Sequence, residues 1–295
     1  MTAPLHTEPL HPEFGVRVTG ADLKEPLDAD TVEAIHELID LHSFLVFPDQ
    51  FLDDDAQLAF THALGTPEPE HVTLGNTGRI VYFGTIGNVD ADGTKRGNAD
   101  RKVFFQTGNN MWHSDSSFRE VPSYVSLMSV HEAPDEGGET LFVSQRAAYA
   151  RLPAEKQAEI EPLVAIHDYV YSRTKVHPEA VSPAHAASLP PVSQKVVRKN
   201  ARTGAKNFYV GSHAREVEGW GWNRSRDLID GLLEECIGEE HIYAHRWRPG
   251  ELVIWDNRCL LHRGAGYDAD KYRRYMRQTR VMGRDNTVRE EEGRA

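Results

Sequence analysis

Two stretches near the amino terminus repeat apolar residues at helical spacing. In 28–42, DADTVEAIHELIDLH, residues Val32, Ile35, Leu38 and Ile39 fall on one face behind Asp28 or Asp30, either of which suits an N-cap. The 53–64 stretch, DDDAQLAFTHAL, repeats the design with Leu58, Phe60 and Leu64. Between them SFLVFPDQ is a short apolar run that reads as a buried strand ended by Pro48. Further on the period changes to two: SYVSLMSVHEAP, 123–134, alternates apolar with polar positions and stops at Pro134. GGETLFVSQRAAYARL then predicts a turn, a strand over 140–143 and the start of a helix. VAIHDYVYSR and KNFYVG read as short strands, separated by HPEAVSPAHAASLPPVS, a Pro/Ala/Ser-rich excursion of the kind used as a lid or substrate loop. SRDLIDGLLEECI predicts a helix, RPGE a turn between two strands, and RRYMRQTRVMG a last strand. Many short strands with a few helices predict a mainly β fold with flanking helices, an antiparallel sandwich or jelly roll. With no repeat or break in composition, 1–295 is expected to form one domain, loops near 66–104 and 174–194 closing the site and the apolar-poor end RDNTVREEEGRA fraying.

Composition sharpens this in three ways. The 16 prolines and 23 glycines fit a loop-rich chain. A formal charge of -12 argues against nucleic acid or an anionic membrane as partner, since either needs a basic face, but it leaves room for a small anionic substrate where arginines gather locally. The two cysteines, Cys236 and Cys259, together with a start that lacks a secretory pattern, lead to the expectation of reduced thiols in a cytoplasm. No run approaches the roughly 18 apolar residues that a membrane span needs.

The chemistry is concentrated in MWHSDSSFRE, 111–120. In a strand, residues two apart point to the same face, so His113 and Asp115 would present an imidazole and a carboxylate together. Two histidines and one carboxylate on one face of a metal leave open positions for reacting ligands. Taken alone, His-x-Asp is equally an ion pair or a capping aspartate, and 15 histidines make any third partner unremarkable. His262 stands out by context, between ELVIWDNRC and the arginine-rich YRRYMRQT. There Arg273 and Arg277 would share a strand face about 13 Å apart, too far to hold one group between them. They read either as a solvated edge or as separate clamps for two carboxylates.

The conjunction of NNMWHSDSSF, GGETLFVSQRAAYARLP, VGSHAREVEG, PGELVIWDNRCLLHRG and RRYMRQT, in that order, resembles the Fe(II)/2-oxoglutarate-dependent dioxygenases of the taurine dioxygenase family, in particular the branch acting on 2,4-dichlorophenoxyacetate and other aryloxyalkanoates. The likeness spans nearly the whole chain. It implies a double-stranded β-helix core, Fe(II) on His113, Asp115 and His262, and 2-oxoglutarate and O2 as co-substrates. By the same resemblance Thr140 and Arg273 would hold 2-oxoglutarate, and Arg277 the anionic group of the substrate. Asn109 would line the pocket, with His71 and His213 as weaker substrate-side candidates. The implied reaction hydroxylates the carbon beside the ether oxygen, so that the product collapses to a phenol and glyoxylate while succinate and CO2 leave. A carboxylate at 115, where halogenating relatives have a small residue, implies oxygen insertion. The resemblance also implies a homo-oligomer. The alternatives are a dioxygenase for a sulfonate, alkyl sulfate or other carboxylate, and a jelly-roll protein that merely holds a metal. The last is disfavoured because structural zinc sites close their shell with cysteine or histidine.

Overall fold

The structure, a computed structural model, describes residues 4–70, 81–90 and 92–289. A seven-stranded sheet forms its centre, in the order His6–Pro9, Val16–Thr19, Phe44–Phe47, Leu252–Asp256, Ser123–Glu132, Tyr275–Met282 and Gly84–Gly87. Its neighbours pair antiparallel except Val16–Thr19 with Phe44–Phe47. A smaller sheet joins Tyr243–His245, Thr140–Ser144 and Leu260–Gly264.

Alternation along the strands sorts the apolar side chains into layers. Phe44, Val46, Met128, Val130, Val253, Trp255 and Met276 of the large sheet meet Phe142 and Leu260 of the small one in a common core. The intervening residues Leu45, Phe47, Val125, Leu127, Leu252, Ile254 and Val281 face the other way, onto Ile35 and Ile39 of the helix Ala29–His42 and Phe60 and Leu64 of the helix Asp54–Leu64. Asp28 and Asp53 cap these helices by accepting from the Thr31 and Ala56 amides. Behind the small sheet, Val143 and Leu261 pack with Leu228, Ile229 and Leu232 of the helix Trp222–Glu234. Large strands buried on both faces explain why several read as continuous apolar runs.

Three local expectations are corrected. VAIHDYVYSR is a strand only over Val164–His167; Asp168 then accepts from the Tyr171 amide and starts the helix Tyr169–Thr174. The Pro/Ala/Ser stretch is not featureless, because Ser182 caps a short helix, Pro183–Ser188, and Val192–Lys195 pairs with Val164–His167. His113 lies in no strand: it forms an isolated bridge to His262, and Asp115 begins a turn.

The inter-sheet core sets the stability. Phe44 is fully buried with its ring 4.5 Å from that of Phe142. Phe44→Ala should cost about 3–5 kcal/mol, whereas Leu41→Ala, at a side chain 62% exposed, should cost under about 0.5 kcal/mol. Urea melts of the two variants check this, and equal midpoints would contradict it.

Candidate active site

Two backbone hydrogen bonds build the site. The His113 amide donates to the His262 carbonyl at 3.0 Å and the His262 amide returns a bond to His113 at 2.9 Å. This antiparallel bridge sets the two imidazoles side by side, their centroids 4.2 Å apart. On its strand His262 shares the inward face with Leu260, while Leu261 points to the helical side. Its ring lies against Phe142 and Trp255. The chain then turns after His113, held by the Ser114 hydroxyl at 2.7 Å from the Leu260 carbonyl and by the Asp115 amide donating to Asn257 Oδ1. Ser116 takes a left-handed conformation (φ 55°) and donates its hydroxyl to Glu68. The turn brings Asp115 Oδ1 to 3.8 Å from the Nε2 atoms of both histidines. One ligand-capable atom from each of the three lies within 4.8 Å of the others.

The protonation states suit metal binding. His113 Nδ1 sits 2.7 Å from the Met111 carbonyl, which only accepts, so that nitrogen carries the proton and Nε2 keeps its lone pair. Burial holds His113 below the ordinary histidine range, and burial together with the neighbouring His113 pushes His262 down to about 3. Burial alone would raise Asp115; the two imidazoles, Arg280 and the Ser126 hydroxyl outweigh it and leave the carboxyl below its usual range. Two neutral imidazoles and a carboxylate are the donor set of a divalent ion with vacant positions.

A pocket opens beside the three. It is lined by Thr140 and Met128 on the sheets, by Trp247 just after the strand Tyr243–His245, and by Gln106, Asn109 and Asn110 on the segment that precedes His113. Trp247 Nε1 donates to Thr140 Oγ1 at 3.0 Å; since that bond uses the hydroxyl as acceptor, the Thr140 proton remains to be given. Arg274 is buried and lines the same pocket, and its Nε has no hydrogen-bond partner among the described residues. Burial pushes its guanidinium down to about 10. Asn88 fixes it in place: its Oδ1 accepts from the Arg274 amide, its own amide donates to the Arg274 carbonyl, and its side-chain nitrogen spans three further carbonyls. Gly87 runs so close that a Cβ there would lie 2.0 Å from the Arg274 carbonyl oxygen.

The family described as "Taurine catabolism dioxygenase TauD, TfdA family" matches residues 6–280. The chain belongs to the TauD/TfdA dioxygenase family. It is 39% identical, over 92% of its length and 96% of the relative's, to the alpha-ketoglutarate-dependent 2,4-dichlorophenoxyacetate dioxygenase of Cupriavidus pinatubonensis. It is 33% identical, over 97% of its length and 98% of the relative's, to the (S)-phenoxypropionate/alpha-ketoglutarate-dioxygenase of Delftia acidovorans. Among solved structures, AAD-2 in complex with Mn(II) and N-oxalylglycine superposes with a TM-score of 0.88 at 33% identity, covering 97% of this chain and 100% of that one.

Against this TauD/TfdA background the expected residues divide. His113, Asp115, His262, Thr140 and Asn109 meet at one pocket. Arg273 and Arg277 do not. Arg274, just before the last strand, and Met276 and Gln278 on it face the pocket or the inter-sheet core, whereas Arg277 lies on the strand's other face, the one that packs on the helix Asp54–Leu64. Arg273 pairs with Glu132 in the open; Arg277 pairs with Asp54, donates to Thr85 and lies over the Phe83 ring. The guanidinium in the pocket is that of Arg274, one residue along. His213 is buried behind His113, its ring 6.2 Å away and Nδ1 bonded to Ser172. His71 lies outside the described residues. Sequence reasoning missed Arg274, Gln278 and Asn88. The alternation that places Met276 inward was the available signal for the first two, but the strand's mixed character hid it.

Arg273 holds an exposed ion pair, so Arg273→Ala should change stability by about 1 kcal/mol or less; Arg277→Ala, which removes a mostly buried guanidinium from Asp54 and Thr85, should cost more than that. Both should leave the KM for 2-oxoglutarate within about twofold, an RT-scale change. A large rise in that KM for either variant would overturn the register.

Proposed function

We propose that His113, Asp115 and His262 hold a ferrous ion and that the chain couples decarboxylation of 2-oxoglutarate to hydroxylation of an aryloxyalkanoate. The carbon beside the ether oxygen gains a hydroxyl, and the hemiacetal breaks the bond between that carbon and the ether oxygen, its hydroxyl proton passing to the departing oxygen, to give a phenol and a 2-oxo acid such as glyoxylate. Succinate and CO2 are the other products. The observation that carries this reading is the convergence of two imidazoles and one carboxylate beside a pocket that a buried guanidinium lines, one of whose nitrogens has no hydrogen-bond partner among the described residues. Bound there, the ion supplies the redox chemistry that divides O2 between the keto acid and a C–H bond of the substrate.

The protein's own part is to bind and orient. Arg274, desolvated and held by Asn88, takes the distal carboxylate of 2-oxoglutarate, with the Thr140 proton as second donor. The arrangement of facing sheets around the site is read as a double-stranded β-helix. Ile86, Val103, Phe104 and Met128 offer the aryl ring an apolar wall, while Gln106, Asn109 and Asn110 offer neutral donors to the acid group. Asn109 gives its oxygen to Arg173, which leaves its amide protons for a ligand. Cys236 and Cys259 are both buried and free, in keeping with a cytoplasmic enzyme. Among the described residues no helix is long and apolar enough to cross a membrane.

The test is a substrate panel with Fe(II), 2-oxoglutarate and O2, following succinate and phenol. Stoichiometric phenol release from an aryloxyacetate or aryloxypropionate is expected. Succinate release stimulated only by an alkyl sulfate, sulfonate or other carboxylate would replace this substrate class by that one. Arg274→Ala should raise the KM for 2-oxoglutarate by roughly 30- to 150-fold, about 2–3 kcal/mol for a carboxylate left without its buried partner. An unchanged KM would remove Arg274 from the site.

A further inference from the structure

Asp115 Oδ1 faces the imidazoles; what its other oxygen does is a separate matter. Oδ2 is turned away and receives two hydrogen bonds, from Ser126 Oγ at 2.6 Å and from Gln278 Nε2 at 2.8 Å. Both donors are themselves fixed. Ser126 Oγ accepts from Asn257 Nδ2 at 2.9 Å, so its one proton goes to Asp115. Gln278 Oε1 accepts from Arg280 Nη1 at 3.2 Å, which decides the orientation of the amide and directs its NH2 at the carboxylate.

Arg280 is locked in turn by Glu68, at 3.1 Å, and Glu70, at 2.7 Å. All four of Gln278, Arg280, Glu68 and Glu70 are buried. Glu68 also accepts from Ser116 at 2.5 Å and from Ser123, so one carboxylate grips both the residue after Asp115 and the arginine that sets the amide. Arg119 adds a second guanidinium 3.4 Å from Glu68.

We propose that Gln278, though it lines the pocket, is a positioning residue: with Ser126 it clamps the outer oxygen of Asp115, and the Glu68–Arg280 pair sets that clamp. This goes beyond the proposed activity but rests on its assignment of Asp115 as a metal ligand. A carboxylate held by its outer oxygen presents the inner one in a single direction. Hydrogen-bonding partners of a ligand commonly carry a tenfold to hundredfold share of metal affinity.

The test uses Mn(II) binding by calorimetry and urea melts of the metal-free chain, for wild type, Gln278→Leu, Ser126→Ala and Arg277→Leu, on the other face of the same strand. The first two variants should each raise the Mn(II) Kd by about 10- to 100-fold. Their combination should cost less than the sum, because both act on one oxygen. Arg277→Leu should leave Kd unchanged. In turnover, Gln278→Leu should lower kcat while the KM for the organic substrate stays put, the reverse of what a substrate contact would give. Wild-type binding with Kd within twofold in both variants overturns the proposal, as does a rise in substrate KM alone. Should Gln278→Leu fail to fold, Ser126→Ala decides the matter by the same criterion. A wild-type chain that binds no Mn(II) sinks the metal assignment itself.

Discussion

Everything at this site depends on one short antiparallel bridge, the pair of hydrogen bonds between the His113 and His262 backbones. It fastens a segment without regular structure to a strand of the small sheet, and so joins ligands 149 residues apart in the chain into one donor set. The bridge is rigid because both flanks are. On one side His262 belongs to a strand whose inward residues pack against Phe142 and Trp255. On the other, Ser114, Asp115 and Ser116 are each anchored to a different part of the fold: the Leu260 carbonyl, Asn257 and Glu68. Such over-determination is what holds Ser116 in a left-handed conformation next to Asp115.

The chemistry follows from how charge is distributed. The chain carries a formal charge of -12, yet a buried guanidinium, that of Arg274, lines its pocket together with Asp115 and Glu139. Burial lowers Arg274 to about 10, a desolvation cost that a bound anion would offset. Amides and apolar side chains line the same pocket, with no second arginine among its described lining residues. Under the proposed function, co-substrate and substrate would be met by different means: a buried cation for one, apolar side chains with neutral donors for the other.

Much of this was legible in the sequence, and the misses have physical causes. His113, Asp115 and His262 stand out by residue type and local context, Thr140 and Asn109 only through the family resemblance, and the structure brings all five to one pocket. The reason first given for His113 and Asp115 was different from the one observed: a bridge and a turn, not a shared strand face, put them together. The arginines failed for a sharper reason. Arg273 and Arg274 are adjacent, and a strand buried on both faces shows no clean polar alternation, so nothing chose between them; an error of one residue turns a pocket cation into a surface ion pair. Asn88 and the Glu68–Arg280–Gln278 chain were out of reach because they consist of long-range hydrogen bonds between ordinary polar residues, which leave no periodic mark.

The central claim is that three side chains share one ferrous ion and that the co-substrate binds against it. Anaerobic calorimetry of the metal-free chain with Fe(II), followed by 2-oxoglutarate, addresses this most directly when run beside Asp115→Ala. The account predicts one ion per chain, keto-acid binding that requires the ion, and loss of both in the variant. Undiminished Fe(II) affinity in Asp115→Ala, or 2-oxoglutarate binding indifferent to the metal, would contradict it.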